Sequence, residues 1–272
     1  MGKQFLVAVD LEGIHEVLGV PYEGLYKGTL EYEKAVENAT KEVNAVVRGL
    51  FDGGAELVAV WDNHAGGGNL DFSKIDARVT KVEKISMAKY ERLKFAQGFA
   101  FDGILFVGYH SKEGSINGVM AHTYNSKAIQ YFKVNGRAVG ELDVDSWAAA
   151  EYNIPPLFCS SDEVGVNQAK EIQDNMYTVI TKHGTGRNSA IFRAEDEILT
   201  ETYERANACV NANITPKKFE FPAELEIRYT RMEDAVKYME KARSYGQVVE
   251  FGEDAHIIKT TLRVFADLET FI

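Results

Sequence analysis

Three short apolar runs, each broken off by an acid or a histidine, constrain this chain more than any other feature. Residues 4–10 read Gln-Phe-Leu-Val-Ala-Val-Asp, residues 56–62 Glu-Leu-Val-Ala-Val-Trp-Asp, and residues 104–110 Ile-Leu-Phe-Val-Gly-Tyr-His. Runs this short, with no polar alternation, are strands covered on both faces, the situation of a parallel sheet packed between helices. Between the first two runs, Ala35, Ala39, Val43, Val46, Val47 and Leu50 form a helical stripe over residues 31–51, which Gly53-Gly54 ends.

The same grammar predicts a strand over 78–85, a short helix over 90–97, helices over 142–152, 163–173 and 194–211, and strands over 157–160 and 177–181. Asn135-Gly136, between residues 128–134 and 137–139, is a hairpin signal. From residue 214 the order becomes strand (219–229), helix (232–245), strand (248–251). The expected fold is α/β, a mixed, largely parallel sheet flanked by helices, with a small C-terminal α+β appendage. The catalytic α/β domain is placed at 1–213 and the C-terminal segment at 214–272.

The 272 residues are 45% hydrophobic, enough for a large core, and carry a formal net charge of −11. That balance argues against nucleic acid and anionic membranes as partners, because both select basic surfaces. No stretch approaches the length of a membrane span. The opening apolar run is too short for a signal peptide. Cys159 and Cys209 imply neither a disulfide framework nor a thiolate zinc site, so a reducing, cytoplasmic location is expected.

Metal-competent side chains gather where the three runs end. Asp10 and Glu12 are two apart, so an extended backbone aims both carboxylates the same way. Asp62 and His64 follow the second run, and His110 follows the third. In an open parallel sheet that edge forms the ligand crevice. One such residue is ordinarily a loop side chain facing water; three clusters on one edge favour a site. Their oxygen and nitrogen donors suit zinc, manganese or iron. On the residues alone this supports a metallohydrolase.

The ordered motifs go further. Asp10-Leu11-Glu12-Gly13, Asp62-Asn63-His64, Gly108-Tyr109-His110, Gly118-Val119-Met120-Ala121-His122, Asn135-Gly136-Arg137 with Gly140-Glu141, and Gly186-Arg187-Asn188-Ser189-Ala190 cover about the first 195 residues. Together they resemble the DppA-type zinc D-aminopeptidase family. The resemblance implies metal ligands at Asp10 (bridging), Glu12, His64, His110 and Glu141, a catalytic histidine at His122, and two zinc ions, with manganese or another divalent ion as substitute. It implies a short peptide substrate, cut at its first bond by a hydroxide bridging the ions, with preference for a D residue. It also implies a ring-like homo-oligomer, such as a decamer. His122 would act as general acid or base, or hydrogen-bond the oxyanion. Two positions depart from the family pattern beside the site: Ala8 stands where Ser is usual, and His15 where a small hydroxyl residue is common.

Two rivals fit the same residues. One is a dinuclear metalloamidase or peptidase acting on cell-wall fragments or L-peptides; the other is a metal-stabilised peptide-binding protein without turnover. Elsewhere the expectations are plainer. His183 and His256 read as surface or structural residues, and Asp143, Asp145 and Asp162 as solvated charges. His15 is a candidate for the pocket wall. Asp62 either orients His64 or caps its turn, and Arg187 and Asn188 either hold substrate or serve the fold. Gly66-Gly67-Gly68 lacks the ending of a phosphate loop.

Overall fold

The computed structural model describes residues 2–83 and 92–272. In chain order the elements are β1 (Lys3–Val9), α1 (Leu30–Asp52), β2 (Ala55–Asp62), β3 (Thr80–Val82), β4 (Gly103–Val107), β5 (Ile129–Val134), β6 (Arg137–Ala138), α2 (Glu141–Glu151) and β7 (Pro156–Asp162). They continue with α3 (Glu163–Ile172), β8 (Tyr177–Gly186), β9 (Ser189–Phe192), α4 (Glu195–Cys209), β10 (Ala223–Tyr229), α5 (Met232–Ser244), β11 (Val249–Phe251), β12 (Ile257–Leu262) and α6 (Phe265–Leu268). The strand expected over 78–85 is the short β3. The helix expected over 90–97 is a 3-10 turn, Lys94–Gly98. Positions 84–85 and 90–91 of those two expectations lie outside the described residues.

A seven-stranded sheet runs in the order β3-β2-β1-β4-β7-β8-β9. Every pairing from β3 to β8 is parallel, and only β9 turns back against β8. The apolar runs are therefore central strands. Successive side chains of β1 divide between two cores: Phe5, Val7 and Val9 pack with Val43, Val47 and Leu50 of α1 and with Ile198 and Ala206 of α4. Leu6 and Ala8 face the other core, which holds Leu142 and Trp147 of α2. Thr29 caps α1, its hydroxyl oxygen accepting from the Tyr32 N–H at 3.3 Å.

The second sheet, β11-β12-β10-β5-β6, is antiparallel. The Asn135-Gly136 turn joins β5 to β6 as expected, and β10 pairs with β5, Ile227 opposite Phe132. This sheet thus draws strands from both sides of residue 213. Its Leu225, Ile227 and Ile258 share a core with Leu6 and Ile104 of the large sheet. Among the described residues no helix is long and apolar enough to cross a membrane.

The carboxyl edge of the large sheet is shaped by one backbone crossing. After β1 the chain passes over the end of β4, with Asp10 N–H donating to Val107 O at 2.8 Å and Gly13 N–H to Gly108 O at 2.7 Å. A Cβ on Gly13 would stand 1.9 Å from Tyr109 O. Gly108, at φ +70°, is also too close for a side chain: a Cβ there would stand 2.4 Å from Asp10 O. Gly13→Ala should therefore destabilise the chain by roughly 1–3 kcal/mol, the usual scale of overpacking. Urea denaturation checks this, and an unmoved midpoint would show that the crossing has slack.

Candidate metal centre

Asp10, Glu12, His64, His110, His122 and Glu141 come together above that crossing. They form two donor groups, Asp10–Glu12–His64 and His110–His122–Glu141, within each of which one ligand atom per residue lies within 4.8 Å of the others. Asp10 joins the two. Its Oδ1 is 2.8 Å from His64 Nδ1, and its Oδ2 is 3.5 Å from His110 Nε2. Glu12 Oε2 is 3.1 Å from His64 Nδ1, and Glu141 Oε1 is 3.2 Å from His110 Nε2 and 3.7 Å from His122 Nε2. The rings of His110 and His122 stack at 3.9 Å. Imidazole nitrogens and carboxylate oxygens at this spacing are a donor set that zinc accepts.

The surroundings set the histidine tautomers. His110 Nδ1–H donates to Ser111 O at 3.0 Å and His122 Nδ1–H to Met120 O at 2.8 Å, which turns both Nε2 atoms toward the acids. Glu141 is the first residue of α2. Its Oε1 accepts the Tyr124 N–H at 2.7 Å, while Asp143 accepts from Gly140 N–H and from Arg137 and so anchors the helix start. The 118–122 loop is pinned by Val119 N–H to Asp162 at 2.6 Å, by Met120 N–H to Arg187 O at 2.7 Å, and by the Arg187 guanidinium on Ala121 O.

Burial penalises every charge in this cluster, and the charges compensate one another. For Asp10, burial and then the Glu12 carboxylate raise the pKa against the pull of His64 and His110. For Glu12, burial is outweighed by His64, His110 and His122, which hold it well below the carboxylate range. Glu141 is likewise lowered, burial losing to His110 and His122. Burial pulls His110 down, but Glu141, Asp10 and Glu12 carry it to about 10; burial also opposes His64, which Glu12 and Asp10 raise well above its usual value. His122 moves the other way, lowered by burial and by His110. The acids thus favour the imidazolium form of His64 and His110, and His122 alone of the three histidines is pushed toward the neutral form.

These donors line a cavity of about 870 Å³. Residues 4–258 match the family model described as D-aminopeptidase. The chain belongs to the D-aminopeptidase family. A curated relative, the D-aminopeptidase of Bacillus subtilis (strain 168), is 28% identical over 186 residues, which span 67% of this chain and 65% of the relative's own length. In fold, the chain is similar to the zinc-dependent D-aminopeptidase DppA from Bacillus subtilis, described as a self-compartmentalizing protease. The TM-score is 0.84 at 21% identity, over 98% of this chain and 94% of that one.

Several residues of this D-aminopeptidase family member sit differently from what the sequence suggests. Asp145 is not solvated: it is fully buried, paired with the Arg92 guanidinium and accepting from Tyr109 Oη at 2.7 Å and Asn63 Nδ2 at 2.9 Å. Asp143 and Asp162 are buried as well, Asp162 capping α3 through Gly165 N–H at 2.7 Å. Asp62 caps the glycine-rich turn, accepting from Asn69 and Leu70, while Asn69 Nδ2 donates to His64 O at 2.7 Å. Asn188 lines the cavity and donates to Leu18 O at 2.7 Å. His183 and His256 stay outside the centre, one beside Glu163 and one on Tyr229 O. Arg92, which also lines the cavity, and Lys182 escape a sequence reading; no motif marks either.

His15 is not on the pocket wall. It is fully buried, its Nδ1 2.8 Å from Glu42 and its Nε2 3.0 Å from Glu195. Burial opposes its proton, yet Glu42 and Glu195 raise its pKa above the usual 6.5. A raised pKa in the folded state contributes stability in full below the unfolded value, and that contribution is lost as pH climbs through the folded one. The stability advantage over His15→Gln should thus be largest below about pH 6.5 and shrink at higher pH. Urea melts of both proteins across pH read it out; a pH-independent difference would refute it.

Proposed function

We propose that this protein is a zinc aminopeptidase that removes the first residue of short peptides, preferring a D residue there, with two zinc ions in its centre. The observation that carries the reading is the pair of donor groups joined by Asp10 at the wall of a cavity of about 870 Å³, a size suited to a small ligand. Asp10, Glu12 and His64 would hold one ion, and Asp10, His110 and Glu141 the other. When bound, the pair supplies an acidified water as nucleophile and a Lewis acid for the scissile carbonyl. The choice of zinc rests on the structural neighbour, and the D preference on the family, the curated relative and that neighbour.

His122 handles the protons. Its Nδ1–H is committed to Met120 O, so Nε2 keeps a lone pair facing the centre. Burial and His110 hold it below the ordinary histidine value, hence neutral near pH 7. It can take a proton from the attacking water and return it to the leaving nitrogen. Val119 N–H on Asp162 ties its loop to the helix start and the Arg187 guanidinium on Ala121 O ties it to the β8–β9 turn, fixing where Nε2 points. The neighbour's self-compartmentalizing assembly supports a ring-like homo-oligomer for this chain too. The two buried free cysteines support a cytoplasmic location.

Paired D- and L-amino-acid anilides, assayed with zinc-loaded protein, test the substrate; equal rates, or none, would overturn the D-aminopeptidase reading. His64→Ala and His110→Ala should lose zinc together with activity. His122→Ala should keep its zinc content while turnover falls roughly 10²–10⁴-fold, the range for a lost acid–base group. Because Nε2 lies within donor range of His110 and Glu141, loss of zinc in His122→Ala would make it a ligand instead.

A further inference from the structure

Lys182, on β8, is fully buried and gives each of its three N–H donors to the main chain of one loop: Glu12 O at 2.7 Å, Ile14 O at 2.6 Å and Val17 O at 2.6 Å. Three acceptors need all three donors of an ammonium; a neutral amine has only two. Among the described residues no carboxylate pairs with it, although Asp162, Glu42 and Glu12 act on it from further away. An isolated buried cation is costly unless its hydrogen bonds are complete, and here the loop alone completes them. The preceding residue grips the same loop, Thr181 Oγ1 donating to Gly13 O at 2.6 Å.

That loop carries Glu12. Its backbone lies against Tyr109 O at Gly13, where no side chain fits; Leu11, Ile14 and Val17 anchor it in the core, and the Lys182 and Thr181 hydrogen bonds fix its main chain around Glu12. The other half of the centre is held by separate contacts, Tyr124 N–H on Glu141 and Ser111 O on His110. We propose that Lys182, assisted by Thr181, is a positioning residue for the Glu12 half of the metal centre, fixing the Glu12 backbone so that its carboxylate meets His64. The inference rests on the two-zinc reading above. It makes the two ions unequal in their dependence on β8.

Calorimetric titration of zinc into the metal-free full chain tests it. The unaltered protein should take up two ions. Lys182→Met should weaken one of them roughly 10–100-fold, the usual effect of losing a group that orients a ligand, and leave the other unchanged. In a Glu12→Gln background Lys182→Met should add no further loss; in a Glu141→Gln background the full loss should persist. A lysine serving only the fold would weaken both ions alike and add its effect in either background, and that result, or unchanged affinities, overturns the proposal. If Lys182→Met does not fold, Thr181→Val removes one bond to the same loop and should weaken the same ion by a smaller factor; equal affinities there overturn the proposal too. Fewer than two ions in the unaltered protein would sink the two-zinc reading itself, a result distinct from two ions with an indifferent Lys182.

Discussion

Three carboxylates and three imidazoles share one buried space, and the cost of keeping charge out of water governs how the rest of the chain is arranged around them. Asp10, Glu12 and Glu141 cannot all ionise there without a positive counterpart. The acids in turn favour the protonated form of His64 and His110, raising both imidazoles above their usual value. The same oxygens and nitrogens are donors of the kind a divalent cation accepts.

The scaffold works through backbone. Gly13 and Gly108 let two main chains touch at the sheet edge, which brings the ends of β1 and β4 close enough for Asp10 to reach both histidines. Lys182 and Thr181 reach across from β8 to the loop beyond Asp10, and Asp62 with Asn69 ties the backbone of His64. Asp143 and Tyr124 hold Glu141 at the start of α2. The donors are thus fixed from several elements, with Asp10 shared between the two groups. Below the centre, the Arg92–Asp145 pair with Tyr109 and Asn63 fills a polar layer that would otherwise bury unpaired groups.

Much of the fold is legible in the residues. Uninterrupted apolar runs of this short length fit covered strands, and the stripe from Ala35 to Leu50 is helical, so the parallel sheet follows. The hairpin at Asn135-Gly136 follows from its turn residues. Neither β9 nor β12 is marked by a sequence signal: β9 is short and largely exposed, β12 mostly buried without clean alternation, and each forms on the partner it finds, β8 and β10. The C-terminal strands read as a unit of their own because nothing in their sequence names β5 as a neighbour, yet hydrogen bonding joins them.

At the site, sequence alone determined which side chains are competent: donors of the right chemistry stand at the ends of buried strands because strand polarity and chain order put them there. It could not weigh Asp145, Asp162 or His15, since a carboxylate or imidazole in a loop looks the same whether water or a partner surrounds it. Only the tertiary structure decided that, through burial and through contacts such as His15 with Glu195, 180 positions apart. The reason is physical: local sequence sets backbone preference and side-chain chemistry. The dielectric and the partner that tune a charge come from segments distant in the chain.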